Sequence, residues 1–165
     1  MDYLLYRNTN ESDPTYDYFA ILTNVSASTD QANSCSEILI EHKPAYTSDE
    51  IIDYQPVDTY KANTINASLD FGLDVGGSIG VSYTTQSGPD IDATYSTVSD
   101  YASWQTKRRL LGPMLEDNLY KYGSSWASAG TLAGNNIKFR GYFYDAVTFF
   151  WEYSAWKTVQ VRFDY

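Results

Sequence analysis

The chain holds one histidine, one cysteine and 21 carboxylates, so any chemistry it performs has few groups to pass through. His42 lies in Glu41-His42-Lys43-Pro44, at what reads as the end of a strand. A Ser-His-Asp or Cys-His arrangement would have to run through it. With charge on both sides and a proline close by, it is expected to be an exposed surface histidine rather than a catalytic base. Cys35 is alone, which rules out an intramolecular disulfide or a thiolate metal cluster within one chain, and it is expected as a half-buried small residue. Hydrolysis by a pair of carboxylates needs a geometry that spacing does not supply. The reading is therefore of a protein without catalytic residues and without a required cofactor.

Oxygen-rich stretches suggest calcium instead. Asp13 with Asp17, Asp49 with Glu50 and Asp53, and Asp90 with Asp92 each gather carboxylates in one short segment, as calcium ligation by carboxylate and carbonyl oxygens requires. None follows a D-x-D-x-D-G loop, and solvated acidic turns are the competing reading. The favoured pair is Asp90 and Asp92, following Pro89. Lys107-Arg108-Arg109 is the one basic cluster, read either as a solvated turn or as a contact for an acidic patch on a neighbouring subunit. Of the four tryptophans, Trp151 is expected in the core, while Trp126 and Trp156 are expected as an exposed pair on which a carbohydrate could stack. Sequons at Asn10, Asn24 and Asn66 are possible glycosylation sites.

The elements that must position these groups are strands. Aromatic residues reach 16% with sixteen tyrosines, a composition suited to sheets and interfaces. The net charge of −10 repels phosphate backbones and anionic headgroups, so nucleic acid is excluded as a partner while cations and carbohydrates fit. At 165 residues one domain with one core suffices. The clearest signal is a period-two alternation in which every odd position from Leu69 to Tyr83 except Gly77 is apolar and every even one is small or acidic. It predicts a hairpin with a three-residue loop that pairs Val75 with Ile79, Leu73 with Val81 and Phe71 with Tyr83. Proline placement and apolar spacing of four predict one short helix over residues 113–120. Residues 142–151 are apolar on both faces and read as a central, covered strand. Residues 159–165 alternate to the last position and form an expected integral strand; Tyr3-Leu4-Leu5-Tyr6 pairs either within the chain or with another copy.

This pattern specifies an all-β, mainly antiparallel fold, a β-sandwich or distorted barrel with at most one or two short helices. No run of 18 apolar residues crosses a bilayer as a helix, and the start lacks a signal peptide, so the expectation is a mature extracellular form. Asp53-Tyr54-Gln55-Pro56, the Gly/Ser alternation, Val81-Ser82-Tyr83, Pro89-Asp90-Ile91 and Ala102-Ser103-Trp104 resemble, over about the middle third of the chain, a loosely defined group of secreted bacterial and archaeal β-proteins without an established activity. The resemblance implies secretion and supplies no catalytic residue. Three functions follow as expectations: a non-enzymatic extracellular or cell-surface domain with a structural role and self-association through terminal strands; a carbohydrate-binding module; and a pore-forming protein with an amphipathic hairpin, whose arms read as about eight and six residues, short of the 9–11 a spanning strand needs.

Overall fold

The computed structural model describes residues 1–10, 12–28, 33–71, 77–85, 88–96, 98–110, 112–116 and 118–164. In chain order the strands are β1 (Asp2–Arg7), β2 (Asp17–Val25), β3 (Asn33–Pro44), β4 (Asp49–Gln55), β5 (Thr64–Phe71) and β6 (Gly77–Thr84). They continue as β7 (Asp90–Ser96), β8 (Tyr101–Lys107), β9 (Tyr120–Ser128), β10 (Leu132–Asp145), β11 (Phe150–Tyr153) and β12 (Lys157–Asp164). One sheet has the order β1-β2-β9-β4, and a second has the order β11-β10-β3-β8-β7 with β12 also on β10. All strand pairs are antiparallel, and no helix occurs among the described residues. The two sheets face each other as an open sandwich, not a closed barrel.

Alternation explains the core. Phe19, Ile21 and Val25 on β2 and Tyr120, Tyr122 and Trp126 on β9 point between the sheets, where they meet Ile38 and Ile40 on β3, Trp104 on β8 and Ile137 on β10. Trp104 and Trp126 are at most 1% exposed, and each indole fully buried in this way adds to one continuous apolar layer.

Three expectations are corrected here. Residues 113–120 form no helix among those described: Leu115 is buried with its N–H bonded to Cys35 O at 2.9 Å, Leu119 is 46% exposed, and Tyr120 already opens β9. Of the two residues spaced by four, Leu115 is buried and Leu119 is exposed, so they do not share one buried helical face. Residues 142–151 are no covered strand but the end of β10, a turn and the start of β11. The hairpin is present in another register, with Leu69 opposite Ile79, Ala67 opposite Val81 and Ile65 opposite Tyr83. Residues 72–76, including the Leu73 and Val75 of the expected pairing, lie outside the described residues. Both terminal strands pair within the chain: β12 on β10, as expected of an integral strand, and β1 on β2, which resolves the open choice for Tyr3 to Tyr6 toward pairing within the chain.

Candidate functional site

β5 and β6 form a two-stranded sheet that joins neither layer of the sandwich. Their ladder is complete in itself, and Thr85 N–H bonded to Asn63 O at 2.8 Å extends it by one pair beyond the eight residues of each strand. Ile65, Leu69, Val81 and Tyr83 are buried, whereas Thr64, Asn66, Ser68, Asp70, Ser78, Gly80, Ser82 and Thr84 are exposed. The hairpin therefore lies with its apolar face down and its small polar face in water. It covers the outer face of the first sheet, where Leu69 and Val81 pack on Ala20 and Leu22. That cover is why β2 is buried at consecutive positions rather than alternate ones.

The seat is close-fitting. A Cβ at Gly123 would stand 2.8 Å from Leu22 Cδ2, 3.1 Å from Val81 Cγ2 and 3.2 Å from Leu69 Cδ2, so only glycine admits both hairpin arms here without displacement. Two polar bonds hold the hairpin further toward its turn: Asp70 N–H donates to Asp53 Oδ2 at 2.7 Å, and Ser125 Oγ donates to Asp70 O at 2.6 Å. At the base, Tyr83 meets Tyr120 edge-on at 6.3 Å.

Directly beneath this seat lies the lone histidine. Ile38, Ile40 and His42 share one face of β3, so His42 points inward and is 0% exposed, which corrects the expectation of a surface residue. Its Nε2 lies 3.0 Å from Thr23 Oγ1 and its Nδ1 3.0 Å from Ser124 Oγ, while the ring packs edge-on against Trp104 at 4.9 Å. Burial holds its pKa down at about 3, so the neutral ring bridges the two sheets, one nitrogen donating and the other accepting. A serine beside a histidine resembles a nucleophile and base, but Thr23, His42 and Ser124 are all 0% exposed, so substrate has no access and the group is a brace. Cys35 is likewise buried, with burial and Glu116 pushing its thiol up to about 12, which makes it unreactive.

The turn between β10 and β11 presents the opposite character. Val147 is 80%, Phe149 75% and Phe150 68% exposed. Asp145 organises the turn, accepting from Val147 N–H at 2.8 Å and from the Thr148 hydroxyl at 2.9 Å, bonds that hold its carboxyl below the usual range. Phe149 adopts φ +62°, a left-handed conformation that costs a non-glycine residue about 1–2 kcal/mol. Behind it runs an aromatic tract on the outer face of the second sheet, in which Tyr142 stacks on Trp151 at 5.5 Å and Arg140 lies 4.1 Å from the Tyr153 ring and 4.4 Å from that of Trp156. Phe149→Gly is expected to leave the domain at least as stable in urea denaturation, because the strained backbone is relieved and no buried contact is lost.

The turn and the hairpin base share one end of the molecule. Tyr120, which touches Tyr83, pairs with Val25, and Val25 lines a cavity with Ile38 and Phe143, two residues before the turn. Asp70, near the far end of the described ladder, lies away from this end, against Asp53 and Ser125.

No protein-family model and no curated protein matches the sequence. Among solved structures, the delta-toxin of Clostridium perfringens superposes with a TM-score of 0.63 at 12% identity, covering 91% of this chain and 79% of the toxin chain. A structure described as a pore forming protein superposes at 0.62 with 10% identity, covering 98% of this chain and 89% of that one. The chain shares the sandwich fold of these two proteins. At such identities the likeness concerns the fold alone.

Within this toxin-like sandwich the other sequence-derived candidates fall in scattered places. Asp90 and Asp92 lie on β7 rather than in a turn; Asp90 accepts from Lys61 N–H at 3.0 Å and Asp92 pairs with Lys107 Nζ at 2.9 Å. Lys107, from the basic cluster, is thus engaged within the chain. Among the described residues no group of three His, Cys, Asp or Glu side chains surrounds a common point. Trp126 is 0% exposed and faces the core, so the expected exposed pair with Trp156 is corrected; Trp156 alone is 45% exposed. Trp126 alternates on β9 in step with Tyr120 and Tyr122, which places it between the sheets. Asn10 lies in a turn, Asn24 on β2 and Asn66 on the polar face of the hairpin. Sequence reasoning missed Gly123, Ser125 and Arg140 and offered Asp53 only as part of an acidic stretch; for Gly123 the only signal was a glycine inside the otherwise continuous strand Tyr120–Ser128.

Proposed function

We propose that this chain is a secreted, non-enzymatic pore-forming subunit that keeps its membrane-crossing hairpin packed on the sandwich until it meets a bilayer. The observation that carries this reading is the separate amphipathic hairpin: its strands pair with each other and with no strand of the sandwich, and side-chain bonds from Asp53 and Ser125 fasten it near Asp70. Eight residues plus the Asn63/Thr85 pair give arms of nine, about 30 Å at 3.3 Å per residue, which matches the hydrocarbon thickness. The apolar face that now rests on Ala20 and Leu22 would rest on lipid, and the polar face would line water. Arms of eight and six, the shorter estimate from sequence, undercounted because they assumed the wrong register.

A lone hairpin has two open edges, and unpaired backbone groups are not tolerated in hydrocarbon. Several copies must therefore close a barrel, so self-association follows from the hairpin edges rather than from the terminal strands. The exposed Phe149 and Phe150, at the same end as the hairpin base, form the surface that would first enter the interface. Swinging the hairpin about its base would carry it past that tip. Phe149→Gly, although folded, is expected to bind phosphatidylcholine vesicles more weakly in flotation.

The decisive experiment locks the hairpin. A Cβ at 123 stands 3.1 Å from Val81 Cγ2, so cysteines at both positions are within disulfide reach, and the smaller side chain at 81 makes room for the one at 123. The oxidised Val81→Cys/Gly123→Cys protein is expected to release no dye from vesicles and to regain release on adding reductant. Buried Cys35 does not compete for pairing. Full release by the oxidised form would exclude this hairpin as the membrane-crossing element.

A further inference from the structure

Resting on the pore reading and extending it to what passes through, the geometry points to a pore that conducts cations in preference to anions, with Asp70 as the selectivity residue. Between Thr64 and Thr84 the sequence holds no lysine, arginine or histidine, and its only formal charges are Asp70 and Asp74. Asp70 lies on the exposed polar face of β5, opposite Ser78 in the ladder. Every other side chain of that described face is neutral and small, so nothing there offsets the carboxylate. Asp74 has the same parity in the sequence and lies outside the described residues. The cation that precedes the hairpin in the sequence, Lys61, falls beyond the Asn63/Thr85 end of the ladder, with its ammonium 4.5 Å from the Tyr60 ring.

Insertion with the apolar face in lipid leaves this face to the water column. Each subunit then adds one Asp70 at the same height, and a closed assembly carries a ring of carboxylates. Such a ring, in a narrow column walled by low-dielectric lipid, concentrates cations and repels anions. The screening length is about 10 Å at 0.1 M salt and about 3 Å at 1 M, so the preference weakens as salt rises.

The side chain of Asp70 is exposed and its bonds to Asp53 and Ser125 run through its backbone, so replacing it does not disturb docking. The full chain would be added to planar phosphatidylcholine bilayers under a tenfold potassium chloride gradient and the reversal potential recorded. Wild-type channels are expected to reverse on the potassium side at low salt and closer to zero at high salt. D70N and D70N/D74N channels are expected to shift toward zero, and D70K channels to cross to the chloride side. Wild-type channels reversing at zero or on the chloride side would overturn the inference while leaving pore formation standing. Unchanged selectivity in D70N/D74N would remove the carboxylates as its cause. Absence of both channels and dye release in the wild type would overturn the pore reading, and this inference with it.

Discussion

Gly123→Leu is expected to give a protein whose sandwich stays folded while its hairpin is cut by protease within residues 64–84. The four carbons of leucine must occupy the space now filled by Leu69 Cδ2 and Val81 Cγ2, and forcing added methylenes into a packed site costs about 1–3 kcal/mol. In a strand of either sheet that strain would spread through the ladder. Here it has a simpler outlet, because the hairpin is bonded to the sheet beneath it by only a few polar contacts and can lift away. The exposed apolar face should then drive association in solution, measurable by light scattering, and dye release should fall because assembly precedes the membrane. Gly123→Ala, which adds only the Cβ against flexible side-chain ends, should show the same effects more weakly. A Gly123→Leu protein that resists protease like the wild type would show that the seat is not the limiting contact.

Acid is expected to destabilise the domain, beginning well above the range where carboxylates protonate. Burial lowers the His42 pKa from the usual 6.5 to about 3, so between those values the unfolded chain binds a proton that the folded one refuses. The contribution of the neutral ring is complete above about pH 6.5 and is lost as the pH falls toward 3. The slope approaches about 1.4 kcal/mol per pH unit, on the order of 5 kcal/mol over the whole shift, a large part of a typical domain's 5–15 kcal/mol. Among the described residues its partners are uncharged: Thr23, Ser124 and Trp104. Asp49, raised by burial, acts in the opposite sense, since its contribution is present at low pH and lost as the pH rises. Asp13 and Asp145, lowered by bonds to backbone N–H groups and hydroxyls, add to the loss only below their usual 3.8. Urea denaturation at pH 7, 5 and 4 would read the effect, and His42→Gln should flatten the profile over that range. A wild-type stability that does not change from pH 7 to pH 4 would refute the assignment.

How much of this was legible in the sequence varied with what each residue's alternation implied. The hairpin was legible because Leu69 to Tyr83 alternates at every odd position except Gly77, yet its register was not: apolar positions pair equally well with Val75 opposite Ile79 and with Leu69 opposite Ile79, the register observed. His42 shares parity with Ile38 and Ile40, so its inward direction was available from the pattern, but the neighbouring charges and proline suggested a strand end. For residues 142–151, apolar character on both faces was read as cover by more protein, whereas Phe149 and Phe150 project into solvent. Periodicity reports that a face avoids water, and it does not report what replaces the water. Gly123 and Asp53 lie more than fifty residues apart in the chain, and only the folded sheet shows that both hold the same hairpin.

The separate ladder of β5 and β6 has an effect on how this sequence can vary. Ile65, Leu69, Val81 and Tyr83 serve as ordinary core residues in the stored form, where shape matters to the cubic ångström and Gly123 leaves no slack. Against fluid acyl chains the same four are judged by apolarity alone. Two environments thus select one set of side chains under different standards, and the packed one is the stricter. Natural variation along this face should therefore follow the sandwich, with changes at 69 and 81 matched by changes at 20, 22 and 123, even though the bilayer itself would accept almost any aliphatic residue.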